Sequence, residues 1–345
     1  MDSLTQAALG GAVGYAVLGN KVGRKAALWG AILGTLPDLD VFLPYNGAVE
    51  AFTYHRGFSH SLLVHLIISP LIVWLLTHIH KGTSRFKHRW FWLVFLCLST
   101  HAVLDSFTVY GTQLLWPITE YPFAMSNIFI IDPLVTIPLL VSLIMVLLPK
   151  IQNITKARAN TFGLLMSCLY LGWSLFGKLF IDYNVESALA KQGIEPQHYM
   201  STPAPFTTLL WRIVVVAEDK YYEIYTSVFD SPDDISVSAY PTAPELLRPV
   251  QSEWGIKRLQ WFTKGLYSVR LREDDIILSD LRMGVECAYA FNFKVAEQTA
   301  SGIEVGSFEK FSERPNLRDV QSFWLRIWDP SISLAPDTNQ QPPCH

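Results

Sequence analysis

Six apolar stretches crowd the first 181 residues and limit what the chain can become. They run over 4–19, 26–43, 61–79, 90–108, 128–148 and 160–181. A helix needs about 20 apolar residues to cross a bilayer, where every backbone amide must find its partner inside the segment. The last four stretches meet that length. The first is short and built around Gly10, Gly11, Gly14 and Gly19, small residues that favour close helix contact. It is either a tightly packed span or a half-buried helix. Half of the 345 residues are hydrophobic and only 17% are charged, low for a soluble protein. The expected fold is a membrane α-helical bundle of about six spans over 1–181, then a soluble α+β domain with an antiparallel sheet over 182–335. A polar, Pro-rich tail over 336–345 is expected to be disordered.

Loop charge sets the expected orientation. Segment 20–25 carries Lys21, Arg24 and Lys25; segment 81–89 carries Lys81, Arg85, Lys87 and Arg89; segment 149–159 carries Lys150, Lys156 and Arg158. The intervening loops, 44–60 and 109–127, hold only Arg56. By the positive-inside rule the basic loops are cytoplasmic. The N-terminus, the other loops and the C-terminal domain then face outward, as in a multi-pass membrane protein. Met1-Asp2-Ser3-Leu4 lacks the basic region of a cleaved signal peptide. A net charge of −3 gives no electrostatic support for a nucleic-acid partner.

Past residue 181 the pattern changes. Leu209–Val216, Tyr221–Val228, Gly265–Leu271 and Tyr289–Val295 read as strands separated by turn signals such as Ser231-Pro232-Asp233-Asp234. One helix is expected over 243–260. The aromatic clusters Trp211, Tyr221, Tyr222 and Trp254, Trp261, Phe262 read as core before membrane interface. Lys257, Arg258, Asp280 and Arg282 read as ordinary surface charge before lipid contacts. Of four cysteines, Cys97 and Cys168 lie in apolar runs as small core residues. Cys287 and Cys344 show no CxxC spacing and no disulfide framework.

The outward assignment gathers a set of ionisable residues that are costly at bilayer depth. Asp38 and Asp40 close the second stretch, His55 and His60 lie before the third, and His101 and Asp105 end the fourth. Loop charge did not use these residues, yet it puts them in one layer. Carboxylates and imidazoles are the donors that hold a hydrolytic metal ion. His101 and Asp105 are spaced i, i+4, on one helix face; the bland alternative is a polar helix contact. Asp38 and Asp40 follow Pro37. In an extended stretch both carboxylates face one pocket, and otherwise they are a solvated helix end. Gly57 permits a turn that brings His55 and His60 together. Arg56 is expected to grip an anionic substrate group, or else to mark a span boundary. Asp132, before Pro133, is a helix cap, an orienting carboxylate or a general base. His65 reads as a buried, hydrogen-bonded residue. Asp2, Ser3 and Gln6 either approach the site or cap the first helix. His78, His80 and His88 face lipid or water, and Tyr110-Gly111-Thr112 shapes the pocket floor.

Taken in order, Pro37-Asp38-Leu39-Asp40, His55-Arg56-Gly57-Phe58-Ser59-His60-Ser61, His101-x-x-Leu104-Asp105 and Leu114-Leu115-Trp116-Pro117 carry a resemblance. Over about residues 1–180 the chain resembles the bacterial inner-membrane, LexA-regulated family of metal-dependent hydrolases. The resemblance implies a membrane-bound hydrolase with a divalent metal. Many relatives carry a histidine where this chain has Gln6; such a ligand is lost here or replaced by Asp2. The HxxxD element is also similar to zinc-dependent bacterial phospholipases C, which suggests phosphodiester or phospholipid chemistry.

The leading expectation is a metal-dependent hydrolase at the outer membrane interface. Asp38, Asp40, His55, His60, His101 and Asp105 bind one or two ions, with Zn²⁺ ahead of Mn²⁺ or Fe. A water activated by the ion is the nucleophile, and placement at the interface favours a lipid or lipid-linked substrate. Two rivals use the same cluster: an ion or metal transporter, and a non-catalytic membrane binding protein. The sequence leaves the oligomeric state open.

Overall fold

A computed structural model describes residues 1–313 and 319–335. The tail expected over 336–345 lies outside them. The chain packs as two units, Met1–Pro44 with Tyr54–Leu175, and Tyr45–Thr53 with Phe176–His345. The boundary expected at 181 falls inside a helix, and the division comes at 175.

The first unit is helical. Helix α1 (Ser3–Val22) and α2 (Arg24–Thr35) form a hairpin turned at Gly23, whose φ of 64° suits a residue without Cβ. Their contact is backbone on backbone. A Cβ built on Gly10 would lie 2.2 Å from the Gly30 carbonyl oxygen, and one on Gly14 would lie 2.5 Å from that of Ala26. Glycines four apart on both helices make this approach possible. Gly30→Ala should therefore push the pair apart and cost about 1–3 kcal/mol as an overpacked contact. Thermal unfolding of the detergent-purified variant checks this; an unchanged midpoint contradicts it.

Helix α2 stops earlier than the expected span to 43. Pro37 lacks an N–H and cannot continue the ladder, so Pro37–Phe42 forms a 3-10 turn. Helix α3 (Ala48–Tyr54) follows; its residues to Thr53 belong to the second unit, where Phe52 packs on Phe262, Phe291 and Phe293. Then come α4 (Leu62–Ile79), α5 (Lys87–Asp105), α6 (Pro133–Leu147) and α7 (Asn153–Lys191). A core of Leu18, Ala26, Leu33, Val73, Leu76, Trp90 and Leu93 joins α1, α2, α4 and α5.

Each expected apolar stretch overlaps a helix, but among the described residues two helices, α4 and α7, are long and apolar enough to cross a membrane by themselves. Helix α6 is apolar but has 15 residues. Helix α5 starts on Lys87-His88-Arg89 and ends on His101 and Asp105, which lowers its hydropathy. Helices α1 and α2 trade bulky apolar residues for the glycines that bind them together. Helices α4 and α7 are not soluble-core helices, because Ile67, Leu71, Trp74, Phe162, Leu165 and Leu169 on them are exposed.

The second unit begins on the C-terminal part of α7. Strands β1 (His198–Pro203), β2 (Leu210–Val216), β3 (Lys220–Ser227) and β4 (Val237–Pro241) form an antiparallel sheet in that order. Ile181, Val185, Ala188 and Leu189 of α7 cover one face of it through Trp211, Ile213, Val215 and Ile224. Helix α8 (Trp254–Phe262) precedes β5 (Tyr267–Arg272), β6 (Asp275–Asp280), the two-residue pair β7 (Gly284–Val285) and β8 (Ala288–Tyr289), β9 (Asn292–Thr299) and β10 (Gly302–Phe311). The second antiparallel sheet has the order β10-β9-β6-β5. Helix α9 (Asp319–Arg326) follows. The single helix expected over 243–260 is split into a 3-10 segment, Pro244–Val250, and α8, with Pro249 withholding an amide before the break. Trp211, Tyr221 and Phe262 are buried as expected, whereas Trp254 and Trp261, also expected in the core, are exposed. Asp280 and Arg282, expected at the surface, are a buried ion pair at 2.8 Å. Cys287 is disulfide-bonded, which corrects its reading as an isolated thiol.

Candidate metal centre

Four of the six expected ligands converge. Asp38, His60, His101 and Asp105 each offer a donor atom, and the four atoms lie within 4.8 Å of one another. His60 Nε2 and His101 Nε2 face each other at 3.1 Å. Asp38 Oδ1 lies 3.6 Å from the first and 3.4 Å from the second. Asp105 Oδ2 lies at 3.2 and 3.5 Å. His60, His101 and Asp105 are buried, while the Asp38 side chain is 23% exposed and gives the cluster a side open to solvent.

The protons on the far ring nitrogens decide what this cluster can do. His101 Nδ1 lies 2.6 Å from the Gly34 carbonyl oxygen, which can only accept, so Nδ1 carries the hydrogen. Ser59 Oγ donates to Asp40 Oδ2 at 2.6 Å, which leaves its lone pairs for His60 Nδ1–H at 2.9 Å. Both Nε2 atoms therefore present lone pairs to each other and to two carboxylate oxygens. Asp105 Oδ2 is buried, and the cation that faces it is the Arg56 guanidinium, whose Nε lies 3.1 Å away. Two imidazole lone pairs facing each other beside two carboxylate oxygens are costly without a further cation or added protons. Partners that fix the histidine tautomer are the usual companions of metal ligands. Asp, Asp, His and His suit Zn²⁺ and also admit Mn²⁺ or Fe.

The helices account for this placement. The α1–α2 glycine contact holds Gly34 close to α1, and Gly34 in turn orients His101 on α5. One turn on, Asp105 faces the same way as His101. Gln6 of α1 donates to Asp105 Oδ1 at 2.9 Å and to the His101 carbonyl at 3.3 Å, so it touches the site as an orienting amide. Asp2 does not take up a ligand position; it caps α1 through the Thr5 amide at 3.0 Å. The Met1 amino group also pairs with Asp105 Oδ1.

Asp40 and His55 form a separate pair beside the four. The alternative in which Asp38 and Asp40 face one pocket required an extended stretch. The segment is a 3-10 turn instead, with three residues per turn, so residues two apart diverge. Asp40 Oδ1 accepts from His55 Nδ1 at 2.7 Å, and Oδ2 accepts from the Arg56 amide at 3.0 Å.

Arg56 is buried, with φ of 62°, a left-handed backbone that non-glycine residues rarely take. Its Nε lies 3.1 Å from Asp105 Oδ2 and its Nη1 donates to Thr108 Oγ1 at 3.1 Å. The guanidinium lies over Tyr110, 5.2 Å from the ring centroid. It thus has internal partners where a substrate anion was expected. Asp132 lies outside the four-residue group. It caps α6, accepting from the Leu134 amide and from the Tyr170 hydroxyl, both at 3.0 Å. His65 is buried and donates from Nε2 to the Ser59 carbonyl at 2.8 Å. His80 and His88, expected to face lipid or water, accept from Trp29 and Trp92 indoles at 2.8 and 3.1 Å. Ser59, Gly34 and Thr108 were missed as site residues. Ser59 was visible inside His55–Ser61, but Gly34 acts through a backbone oxygen that no motif marks.

Comparison with known proteins agrees with a membrane location. A family model described as "YdjM inner membrane protein" matches residues 1–181, more than half of the chain, and the chain belongs to that family. It is also 32% identical over 144 residues to "Uncharacterized protein YfhP" of Bacillus subtilis (strain 168). That match takes in 40% of this chain and 43% of the relative's length. No solved structure matches.

Proposed function

We propose that this member of the YdjM inner membrane protein family is a membrane-bound, metal-dependent hydrolase acting on a lipid, lipid-linked or phosphoester substrate. One observation carries the reading: two imidazole Nε2 lone pairs and two carboxylate oxygens, all within 4.8 Å, with both far nitrogens already committed to hydrogen bonds. Asp38, His60, His101 and Asp105 would hold the ion, with Zn²⁺ favoured. When bound, the ion supplies Lewis acidity and lowers the pKa of a water.

The chain's own residues supply the rest. Arg56 and Gln6 fix the two oxygens of Asp105. Asp40 holds His55 with Nδ1–H toward itself, so Nε2 is the atom that takes or gives a proton, by the logic of an oriented base. The His55 side chain is 23% exposed, within reach of a substrate. Asp132, tied up as a cap, is given no catalytic part. Ten basic residues in alternate loops support a multi-pass topology with the site and the C-terminal unit outside the cytoplasm. The disulfide at Cys287 supports the same side, since disulfides persist in oxidising compartments. Control by LexA, which the resemblance implies, would act on expression and leave the site unaffected.

The test is hydrolysis in mixed micelles of phosphatidylethanolamine and phosphatidylglycerol with added Zn²⁺ or Mn²⁺. Chelator-sensitive release of a water-soluble product is expected, reduced at least about 100-fold in a folded Asp38→Ala variant. No chelator-sensitive cleavage of phospholipid, lipid-linked phosphate or carboxylic ester would sink the reading.

A further inference from the structure

Helix α9 and the turn after β3 carry a patch of large apolar side chains that no described element covers. Trp324, Leu325 and Trp328 are exposed, Trp328 at 69%, and Phe229 stacks on Trp328 with ring centroids 5.1 Å apart. Trp324 lies on α9 and Trp328 in the turn that follows it, where the Trp328 amide donates to the Leu325 carbonyl at 3.1 Å. The opposite side of the same segment is fixed inward. Ile327 is buried with Ala204 and Leu210, and buried Arg326 donates to Asp230 Oδ2 at 2.6 Å and to the Tyr225 carbonyl at 2.9 Å. The outward tryptophans are therefore held in place rather than left on a loose end.

The position of the patch within its own unit indicates what it meets. Residues 159–177 of α7 carry no charged side chain, and Lys178 is the first. Gly177 thus marks where the apolar crossing stretch ends. A Cβ on Gly177 would lie 3.5 Å from the Trp211 ring and 3.9 Å from the Thr208 carbonyl oxygen, at the start of β2. At that same end of the sheet the Val228 amide donates to the Leu209 carbonyl at 2.8 Å, and Phe229 follows. The patch and the exit of α7 from the apolar stretch therefore share one end of the β1–β4 sheet. Trp is the side chain best suited to the layer between hydrocarbon and head groups. Arg326, the one basic residue in 319–328, is buried, so attraction to anionic lipid contributes little.

We propose that Phe229, Trp324, Leu325 and Trp328 form an interfacial anchor that lays the C-terminal unit on the bilayer surface beside the point where α7 leaves it. The occupant of the patch is the lipid head-group layer, gripped by apolar and indole contacts. This holds whether or not the metal centre hydrolyses anything, so the two can fail separately.

Depth measurement in nanodiscs of phosphatidylethanolamine and phosphatidylglycerol tests it on the full chain. Exposed Cys168 is first replaced by serine, and a nitroxide is placed through Trp324→Cys, Trp328→Cys or, as control, Ser301→Cys in the exposed β9–β10 turn. Labels at 324 and 328 should collide with oxygen more than with a water-soluble nickel chelate, and the label at 301 the reverse. Raising the salt should leave this pattern unchanged. Water-like accessibility at both 324 and 328 overturns the proposal. So does dipolar broadening between two labelled chains, which would make a second copy the occupant. The doubly conservative variant Trp324→Phe/Trp328→Phe guards against perturbation by the label. Brominated lipid should quench its fluorescence less than that of the native chain with its 11 tryptophans; equal quenching counts against the anchor.

Discussion

Replacing His101 with alanine should strip the metal from the protein, lowering affinity at least about 100-fold, while His55→Ala should keep a stoichiometric ion with affinity lowered about 10- to 100-fold at most. The difference follows from which atoms meet. His101 Nε2 lies among three other donors, whereas His55 points Nδ1 at Asp40 and contributes no atom to the cluster. Elemental analysis of detergent-purified protein reads the result. Loss of metal from both variants would restore a larger ligand set that includes His55. Retention in both would end the assignment of the cluster as a metal site.

Glu223→Leu should be the most damaging substitution in the C-terminal unit, costing about 3–5 kcal/mol. Glu223 of β3 pairs with Arg212 of β2, and both are buried. Arg212 Nη1 also donates to the Leu281 carbonyl at 2.9 Å, and Tyr289 donates its hydroxyl to Glu223 Oε1 at 2.8 Å. Burial, then the charge of Glu223, pushes the Tyr289 hydroxyl well above its ordinary pKa, so it remains a donor throughout the working range. Removing the carboxylate leaves the Arg212 guanidinium buried without its paired charge, while the Tyr289 hydroxyl falls back on Glu286 Oε2 at 3.1 Å. Removing both charges, as Arg212→Met with Glu223→Leu, should recover most of the loss. Thermal unfolding of the full chain decides it. If the single variant melts with the native protein, or the double variant is no better than the single, the pair does not carry this stability.

The sequence made some levels of this molecule legible and hid others for physical reasons. Periodicity and composition disclosed the helical first half and four strands of the second, because apolar runs and β-branched alternation report local structure directly. The i, i+4 pair His101 and Asp105 could be read from helical geometry alone. Asp38 and Asp40 could not, because their divergence depends on a 3-10 turn that Pro37 imposes. Arg56 looked available for an anion because burial is a tertiary property, and its partners Asp105 and Thr108 lie some fifty residues away. For Asp132 the Asp-Pro pair offered the cap it forms beside the orienting and general-base readings, and the Leu134 amide and Tyr170 hydroxyl on its carboxylate are what the sequence did not show. Gly34 was invisible as a site residue, since its part is played by a carbonyl oxygen that the α1–α2 contact brings to His101.

X-ray absorption at the edge of the metal that co-purifies with the intact protein tests the central claim most directly. Asp38, His60, His101 and Asp105 predict an all nitrogen and oxygen first shell, with the outer-shell scattering of two imidazoles and no sulfur. A sulfur shell, the absence of imidazole scattering, or protein that acquires no first-row metal at all would contradict it.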